Sequence, residues 1–322
     1  MKRLEIIICL LIVIATMVSC GGNKQEKNES LSAVSEISFE ADARYNTNNM
    51  QNHTSGGVFA YSPKTDEIIY CKSVFSNDDY ECSVVARKED TERVIIKEAA
   101  SSVTVFDDKI FYYDGASICS VGLDGNGKKS YCAAQSPLYI YPYGDGVFYR
   151  EDFKIKYISY DGKVTQISTE QNVLNFSIYN GRLYYGGFED VPSQYVTLRC
   201  YDLAEHTDKT IAGSVEGFEI VNGKIYAVQE ENTVVSMGLD GQEKQTIKKE
   251  DNSVELYYSK QGLIYVVCQD GECVCKLYNE KEKSISELTK TDFSGALCGD
   301  YLCAYSPYST DGQVYGFAKI SK

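Results

Sequence analysis

The side chains that could do chemistry in this sequence are tyrosines and carboxylates, which share three segments between predicted strands. Aromatic rings stack on the apolar faces of sugars and attract cationic groups, and carboxylates accept hydrogen bonds from hydroxyl or ammonium groups. The combination predicts a binding site for a glycan or for a protein ligand such as a cationic peptide. The segments are 73–80, 186–195 and 306–312, and the predicted ligand-binding residues are Tyr80, Asp78, Asp79, Glu189, Asp190, Tyr195 and Tyr308.

Patterns for catalysis or metal binding are weak by comparison. The chain has two histidines, His53 and His206, and neither has a partner at the spacing of metal ligands. No nucleophile elbow, phosphate-binding loop or zinc-protease motif occurs in the sequence. We therefore predict no catalytic residue, no cofactor and no metal, and we favour a binding module over an enzyme. Pairs of Asp and Glu could still serve glycoside hydrolysis, so an extracytoplasmic carbohydrate-active enzyme is the alternative.

Ten cysteines remain when Cys9 and Cys20 at the N-terminus are set aside. This number is compatible with oxidising surroundings outside the cytoplasm. Counting outward from the predicted turns places three pairs opposite each other on neighbouring antiparallel strands, at separations that a disulfide can bridge. Buried thiols that pack as small apolar side chains are the alternative. The predicted pairs are Cys268 with Cys273, Cys119 with Cys132, and Cys71 with Cys82.

The N-terminus has the pattern of a targeting signal. A basic start precedes an apolar run, residues 6–18, which would form a helix of about 20 Å, too short for the roughly 30 Å core of a bilayer. The run ends in Ser19-Cys20, which resembles the lipobox of bacterial lipoproteins. That resemblance implies a signal peptide over residues 1–19, lipidation of Cys20, and a lipid anchor on the extracytoplasmic face of the cell membrane. Residues 20–34 are polar and small, as expected of a flexible tether.

The charge of the chain bounds its partners. The formal net charge is −14 at pH 7, which makes nucleic acids and anionic lipid surfaces poor partners. Residues 35–322 are enough to form one large core. We therefore expect a monomer that binds no nucleic acid and contacts the membrane through its lipid anchor.

An internal repeat organises residues 35–322. The apolar residue that opens the second strand of each repeat recurs seven times, and the first and last of these lie 234 residues apart, about 39 residues per repeat. Turn-forming residues precede almost every one, as at Asn180-Gly181 and Asn222-Gly223, and Asn-Gly favours a two-residue hairpin. The seven positions are Ile68, Ile110, Val147, Leu183, Ile225, Ile264 and Leu302.

Four alternating strands repeated at this spacing are typical of a β-propeller. We predict an all-β, seven-bladed β-propeller of four-stranded antiparallel blades. The last repeat has three strands, and residues 36–41 are strand-like, so we expect this N-terminal strand to close the ring. Most of the 27 tyrosines fall on predicted strands, where we expect the rings to pack between blades and the hydroxyls to reach water.

The apolar–Tyr strand with a Leu-Asp-Gly turn, as at Leu123-Asp124-Gly125 and Leu239-Asp240-Gly241, resembles two groups of propellers. One has the Tyr-Trp-Thr-Asp repeat of low-density-lipoprotein-receptor propellers, from which this chain departs because it has no Trp. The closer one is an uncharacterised propeller domain of lipoproteins from clostridia and related Gram-positive bacteria. The resemblance covers residues 56–322 and implies the fold strongly and the function weakly. It agrees with a membrane-anchored extracytoplasmic module that binds a ligand without catalysis.

Overall fold

The computed structural model describes residues 42–47, 57–76, 79–190, 192–293, 295–309 and 312–320. They belong to one compact unit that spans Ser32–Lys322. Apart from two 3₁₀ turns, Ala43–Tyr45 and Glu230–Asn232, the regular structure in these ranges is antiparallel β-sheet. None of the described residues forms a helix that is long and apolar enough to cross a membrane.

The first three sheets each contain four strands in sequence order, joined by hairpins. The first sheet has β1 (Phe59–Ser62), β2 (Glu67–Ser76), β3 (Asp79–Lys88) and β4 (Thr91–Ile96). The second has β5 (Ser101–Phe106), β6 (Lys109–Tyr113), β7 (Ser117–Gly122) and β8 (Lys129–Ala133). The third has β9 (Leu138–Tyr143), β10 (Gly146–Glu151), β11 (Lys154–Ser159) and β12 (Val164–Gln166).

The next sheet has seven strands. They are β13 (Asn172–Tyr179), β14 (Arg182–Phe188), β15 (Val196–Asp202), β16 (Thr207–Val221), β17 (Lys224–Gln229), β18 (Thr233–Gly238) and β19 (Gln245–Lys249). The long strand β16 pairs with β15 through its first part and with β17 through its second part. It is therefore the outermost strand of one four-stranded unit and the innermost strand of the next.

Two further sheets follow. One has β20 (Val254–Ser259), β21 (Gly262–Gln269), β22 (Glu272–Asn279) and β23 (Ser284–Thr291), and the other has β24 (Ala296–Cys298), β25 (Tyr301–Ser309) and β26 (Gly312–Lys319). The described strands thus follow the predicted repeats, and the last unit has three strands as expected. The number of blades and the closing of the ring by residues 36–41 stay predictions, because residues 36–41 lie outside the described part of the chain.

The hairpins between first and second strands form where the sequence predicts them. At Asn180-Gly181 the φ angles are 48° and 71°, and at Asn222-Gly223 they are 50° and 78°. Two consecutive residues with positive φ define the hairpin turn whose twist matches that of the flanking strands. Asn and Gly adopt this conformation at little cost, so the local sequence sets the strand register on both sides of each turn.

The core lies between neighbouring sheets. In the third and fourth units, for example, Tyr141 packs with Phe176 and Leu183 in one buried cluster. In the first and last units, Phe59 lies edge-on to Phe317 with ring centroids 6.1 Å apart. Burial of apolar surface at each such boundary, about 25 cal/mol per Å², stabilises the units side by side.

The two ends of the sheets differ. The lower end is the one at which each innermost strand turns into the second strand of its unit, as at Asn180-Gly181. The opposite end, at which the innermost strands begin and the second strands finish, is called the upper end. Residue Leu138 begins an innermost strand at the upper end, and Phe188 finishes a second strand there. Function is often carried by loops at one such end, because the sheets hold those loops rigidly.

Residues 42–47 lie against innermost strands near the lower end. The ring of Tyr45 stacks on Phe106 with centroids 5.3 Å apart. The Thr47 hydroxyl accepts a hydrogen bond from the backbone N–H of Ile178 at 3.2 Å and faces its carbonyl oxygen at 3.4 Å. This part of the lower end is therefore covered by the chain itself.

Two of the three predicted loops are extensions of strands. Residues 73–76 belong to β2 and residues 79 and 80 to β3, with Ser76 opposite Asp79. Residues 306–309 belong to β25, and Gly312 begins β26. The prediction that these two segments lie between strands was wrong, because cross-strand pairing continues almost to the turn in both. Asp78 lies outside the described residues, as do the side chains of Asp79, Tyr80 and Tyr308.

The predicted disulfide between Cys268 and Cys273 is present, and the two residues lie directly opposite each other on β21 and β22. The other two predicted pairs are free thiols. A register shift in β7 and β8 places Cys132 opposite Ile118, so Cys119 faces Ser130 instead. In the first hairpin Ser76 pairs with Asp79, a register one position later than predicted, which places Cys71 opposite Val84 and Cys82 opposite Ser73.

Candidate functional site

The remaining predicted loop lies at the upper end, between β14 and β15. Glu189 and Asp190 are exposed, and the Tyr195 residue is 36% exposed. Of the predicted ligand-binding residues, these three are the ones that the structure brings together in one described segment. The loop is held at both ends, because Asn172 Nδ2 donates to the Glu189 carbonyl at 2.5 Å and Gln194 Nε2 donates to a Glu216 carboxylate oxygen at 3.0 Å.

A buried arginine lies at the same end of the third unit. Arg150, near the end of β10, is 9% exposed. Its Nη1 donates to the carbonyl of Leu174 at 2.5 Å and lies 3.4 Å from that of Val173. No carboxylate within the described ranges forms an ion pair with it, and burial lowers the pKa of its guanidinium below the ordinary value.

Two aromatic rings flank this guanidinium. Its central carbon lies 5.1 Å from the ring centroid of Phe153 and 5.4 Å from that of Tyr139. Both aromatic residues have positive φ, 58° and 55° respectively. Bulky residues adopt this conformation at a cost of about 1–2 kcal/mol, and such backbone strain is concentrated at functional sites. Phe153 also meets Phe188 edge to face, at 5.2 Å between centroids.

Irregular strand pairing recurs at the upper end. In β9, a register shift places Tyr139 and Ile140 opposite the single residue Tyr149. Bulges of this kind bend a strand and change the direction of a side chain, and they are frequent beside binding sites. Comparable register shifts occur near the upper ends of the innermost strands β5, β13 and β16.

Buried polar atoms without hydrogen-bond partners also gather there. Four of the seven such atoms in the described part of the chain lie at the upper end of the third to fifth units. Gly186 and Gly187 leave room for two of the side chains, since a Cβ at either glycine would lie 2.8 Å or 2.4 Å from an amide oxygen. The four atoms are Arg150 Nε, Gln171 Oε1, Asn175 Oδ1 and Glu216 Oε2.

The sequence gives little sign of this site. Arg150 lies within β10, a strand whose six residues are all buried, and the repeat pattern marks that position only as part of a second strand. Its surroundings come from β9 and the turn that contains Phe153, both in its own unit, and from β13 of the next unit. The one local signal is the pair of charged residues, Arg150 and Glu151, at the end of an otherwise apolar strand.

Metal binding has no evident place here. Within the described ranges, no group of three or more His, Cys, Asp or Glu side chains is arranged to hold a metal ion. A shallow groove of about 360 Å³ lies beside Gln229 and Glu230, and its lining is mostly polar and uncharged. The polar atoms that lack partners therefore distinguish the upper end of the third to fifth units.

Comparison with known proteins supports the fold. No protein-family model matches the chain, and no curated protein matches it in sequence. An acylaminoacyl peptidase from Pyrococcus horikoshii superimposes with a TM-score of 0.57 at 12% identity, over 84% of this chain and 54% of the peptidase chain. The computationally designed protein Ika8 gives 0.51 at 10% identity, over 83% of this chain and 97% of its own. BamB from Moraxella catarrhalis gives 0.43 at 13% identity, over 81% and 82%. With the sheet order described above, the similarity to the peptidase and to Ika8 supports a β-propeller and, at such low identity, indicates the fold alone.

Proposed function

We propose that this protein is a binding module, held at the extracytoplasmic face of a cell membrane by lipid on Cys20, which takes a ligand at the upper end of its propeller. The observation that carries the proposal is the set of four buried polar atoms without partners, next to the exposed loop of Glu189, Asp190 and Tyr195. A protein or a glycan could supply the missing hydrogen bonds.

The physical reason is the cost of burying polar groups. A buried donor or acceptor without a hydrogen bond costs about 1–3 kcal/mol, and folded proteins contain few of them. Four such buried atoms lie at one end of three consecutive units, where hydrogen bonds from a complementary ligand or ordered water would stabilise them. The strained backbone at Tyr139 and Phe153 supports the same location, because strain persists where it serves a function.

The membrane location rests on the sequence. Ser19-Cys20 follows a short apolar run and resembles a lipobox. The polar residues 21–34 would then tether the propeller and leave it able to meet ligands outside the cell. A lipid anchor together with a rigid all-β body suits a receptor or scaffold.

Thermal unfolding of the full-length protein in detergent tests the binding function. We expect one class in a panel of glycans and peptides to raise the unfolding midpoint saturably. A ligand at a hundred times its Kd adds about 2.7 kcal/mol, which corresponds to a shift of a few degrees. The triple variant Glu189→Gln, Asp190→Asn, Tyr195→Ala should weaken that shift.

The matched control is Glu287→Gln, which removes an exposed carboxylate from the outer strand β23. It should leave the ligand-induced shift unchanged. A shift that survives the triple variant, or that is lost equally in the control, would count against the upper end as the binding surface. Cleavage of a glycan during the measurement would favour the carbohydrate-active alternative instead.

A further inference from the structure

Two arginines in the described part of the chain are buried, and their surroundings differ sharply. Arg199, which is 7% exposed, donates through Nε to Asp208 at 3.0 Å and through Nη1 to the Thr210 hydroxyl at 2.9 Å, and its Nη2 pairs with Glu170. Arg150 has nearly the same exposure but no carboxylate partner in the described part of the chain, and its Nε has no partner of any kind there.

An unpaired buried charge is unfavourable. Removing a guanidinium from water costs several kcal/mol, and an anion or a dense set of hydrogen bonds normally offsets that cost. Arg199 has both kinds of partner, whereas Arg150 has two carbonyl oxygens, from Val173 and Leu174, on Nη1 alone. The geometry therefore leaves the Nε edge of Arg150 as the unused side of a planar fork.

We propose that Arg150 binds a carboxylate of a peptide ligand through this Nε edge, between the rings of Tyr139 and Phe153. The inference rests on the proposed binding function and names the chemistry of the ligand. Arginine forks match carboxylates in geometry, with two parallel N–H···O bonds, and such charge-assisted bonds are about twice as strong as neutral ones.

The unpaired acceptors at the upper end of the third to fifth units favour a peptide as the source of this carboxylate. Gln171 Oε1, Asn175 Oδ1 and Glu216 Oε2 each need a donor. Backbone N–H groups of a peptide supply donors beside a terminal or side-chain carboxylate, and an ammonium or N–H donor suits the charged Glu216 oxygen particularly well. The exposed Glu189 and Asp190 add acceptors for the cationic groups of a peptide.

The experiment uses small probes on the full-length protein in detergent. N-acetyl amino acids contain one carboxylate and one amide N–H, and their carboxamides differ only in lacking the negative charge. Each acid and its amide is titrated while the unfolding midpoint is recorded, at an ionic strength fixed with chloride. D-galacturonate serves as the sugar carboxylate. The variants are Arg150→Met, Arg150→Lys and the control Arg182→Met, which alters a half-exposed arginine at the lower end that is paired with Asp202.

At least one N-acetyl amino acid should raise the midpoint saturably, and its amide should not. Arg150→Lys keeps the charge but removes Nε and the planar fork, so it should raise the apparent Kd at least tenfold. Arg150→Met should abolish the shift, and Arg182→Met should leave it unchanged. Should Arg150→Met fail to fold, the lysine variant decides.

Three results would overturn the inference: equal shifts with acid and amide, a shift with D-galacturonate alone, or shifts that do not change in the Arg150 variants. If no acid binds, while a ligand from the wider panel still depends on the loop of Glu189, Asp190 and Tyr195, the carboxylate subsite fails and the proposed function stands. If neither the acids nor the panel bind, both fail.

Discussion

The Tyr265 hydroxyl donates to the carboxylate of Glu250 over 3.1 Å, and the same carboxylate oxygen accepts a hydrogen bond from Lys276 Nζ at 2.9 Å. Tyr265 lies on the second strand of its unit, β21, and Lys276 lies on the third, β22. Glu250 comes from the segment before the innermost strand, so one carboxylate joins three parts of the unit. Burial and the nearby Glu250 charge raise the pKa of Tyr265, which keeps the hydroxyl as a donor.

This arrangement recurs around the propeller. In the second unit the Tyr112 hydroxyl donates to Glu98 at 2.5 Å, and Lys128 binds the same carboxylate at 2.8 Å. Three further tyrosines on second strands each donate to a carboxylate that also pairs with a cation, although the strand or turn that supplies the carboxylate differs from one to the next. They are Tyr70 with Glu92 and Lys72, Tyr185 with Asp208 and Arg199, and Tyr226 with Glu280 and Lys224.

Tyr265→Phe should therefore destabilise the fold. The ring still fills its place in the core, but the Glu250 carboxylate loses one of its donors, which we expect to lower the free energy of unfolding by about 1–2 kcal/mol. Urea unfolding measures the difference. Tyr195→Phe is the control, because that exposed residue should change stability by less than about 0.5 kcal/mol. Equal effects of the two substitutions would show that the hydroxyl of Tyr265 contributes nothing specific.

Glu219 gives the fold an unusual dependence on pH. This carboxyl, on the innermost part of β16, is 2% exposed, and the backbone N–H of Ile220 donates to it at 3.1 Å. Burial raises its pKa to about 8 from an ordinary value of 4.5. The titratable groups near it are Tyr141 and Tyr258, whose own pKa values are raised by burial and by the Glu219 charge.

Because the folded state binds this proton more tightly than the unfolded chain, the contribution of Glu219 to stability is complete below about pH 4.5. It decreases as the pH rises and is lost above about pH 8, a change on the order of a few kcal/mol. Glu219→Gln, which cannot ionise, should flatten this decline. Urea unfolding of both proteins between pH 5 and pH 9 tests the prediction, and parallel curves for the two would contradict it.

The disulfide between Cys268 and Cys273 closes a short hairpin. Loop-closure entropy for so small a ring gives a stabilisation of about 2 kcal/mol, so Cys268→Ser with Cys273→Ser should lower the free energy of unfolding by at most that amount. Peptide mapping after alkylation without reduction should find this pair protected. It should also find the eight other described cysteines alkylated, among them Cys119, Cys132, Cys71 and Cys82. Protection of any of those four would restore a predicted pairing that the structure lacks.

What the sequence predicts well is local. The Asn180-Gly181 turn depends on two residues that tolerate positive φ. Apolar and polar residues alternate in the strands on either side, which determines the face of the sheet that is buried, so the repeated hairpins could be predicted. The register that places Cys119 opposite Ser130 instead of Cys132 could not be predicted, because a bulge that moves the register by one residue has no marker in the residues themselves. The extension of β2 and β3 as far as Ser76 and Asp79 was missed for a related reason, since polar residues near a turn can still continue a strand.

What the sequence does not predict is the surroundings of single side chains. Arg150 lies between Tyr139, on β9, and Phe153, in the turn after β10, which belong to its own unit, while β13 of the next unit supplies the Leu174 carbonyl. Likewise, the tyrosines are predicted to fill the core, which they do, but the hydroxyls of residues such as Tyr265 donate to carboxylates and do not point to water. These relationships depend on the packing of individual side chains between strands and turns, which the alternation of apolar and polar residues does not specify.

The lipid anchor is tested by Cys20→Ser. Lipidation at this position would need the Cys20 thiol, because the lipid is joined to sulfur in proteins with the lipobox that Ser19-Cys20 resembles. We expect the wild-type protein to incorporate labelled palmitate and to partition into the detergent phase, and the serine variant to incorporate none. Cys9→Ser, inside the apolar run of the leader, is the matched control and should keep the label. If the Cys20→Ser variant still incorporated palmitate, or if only the Cys9→Ser variant lost it, the lipid would be attached at a position other than Cys20. Either result would remove the basis for an anchor at the start of the tether.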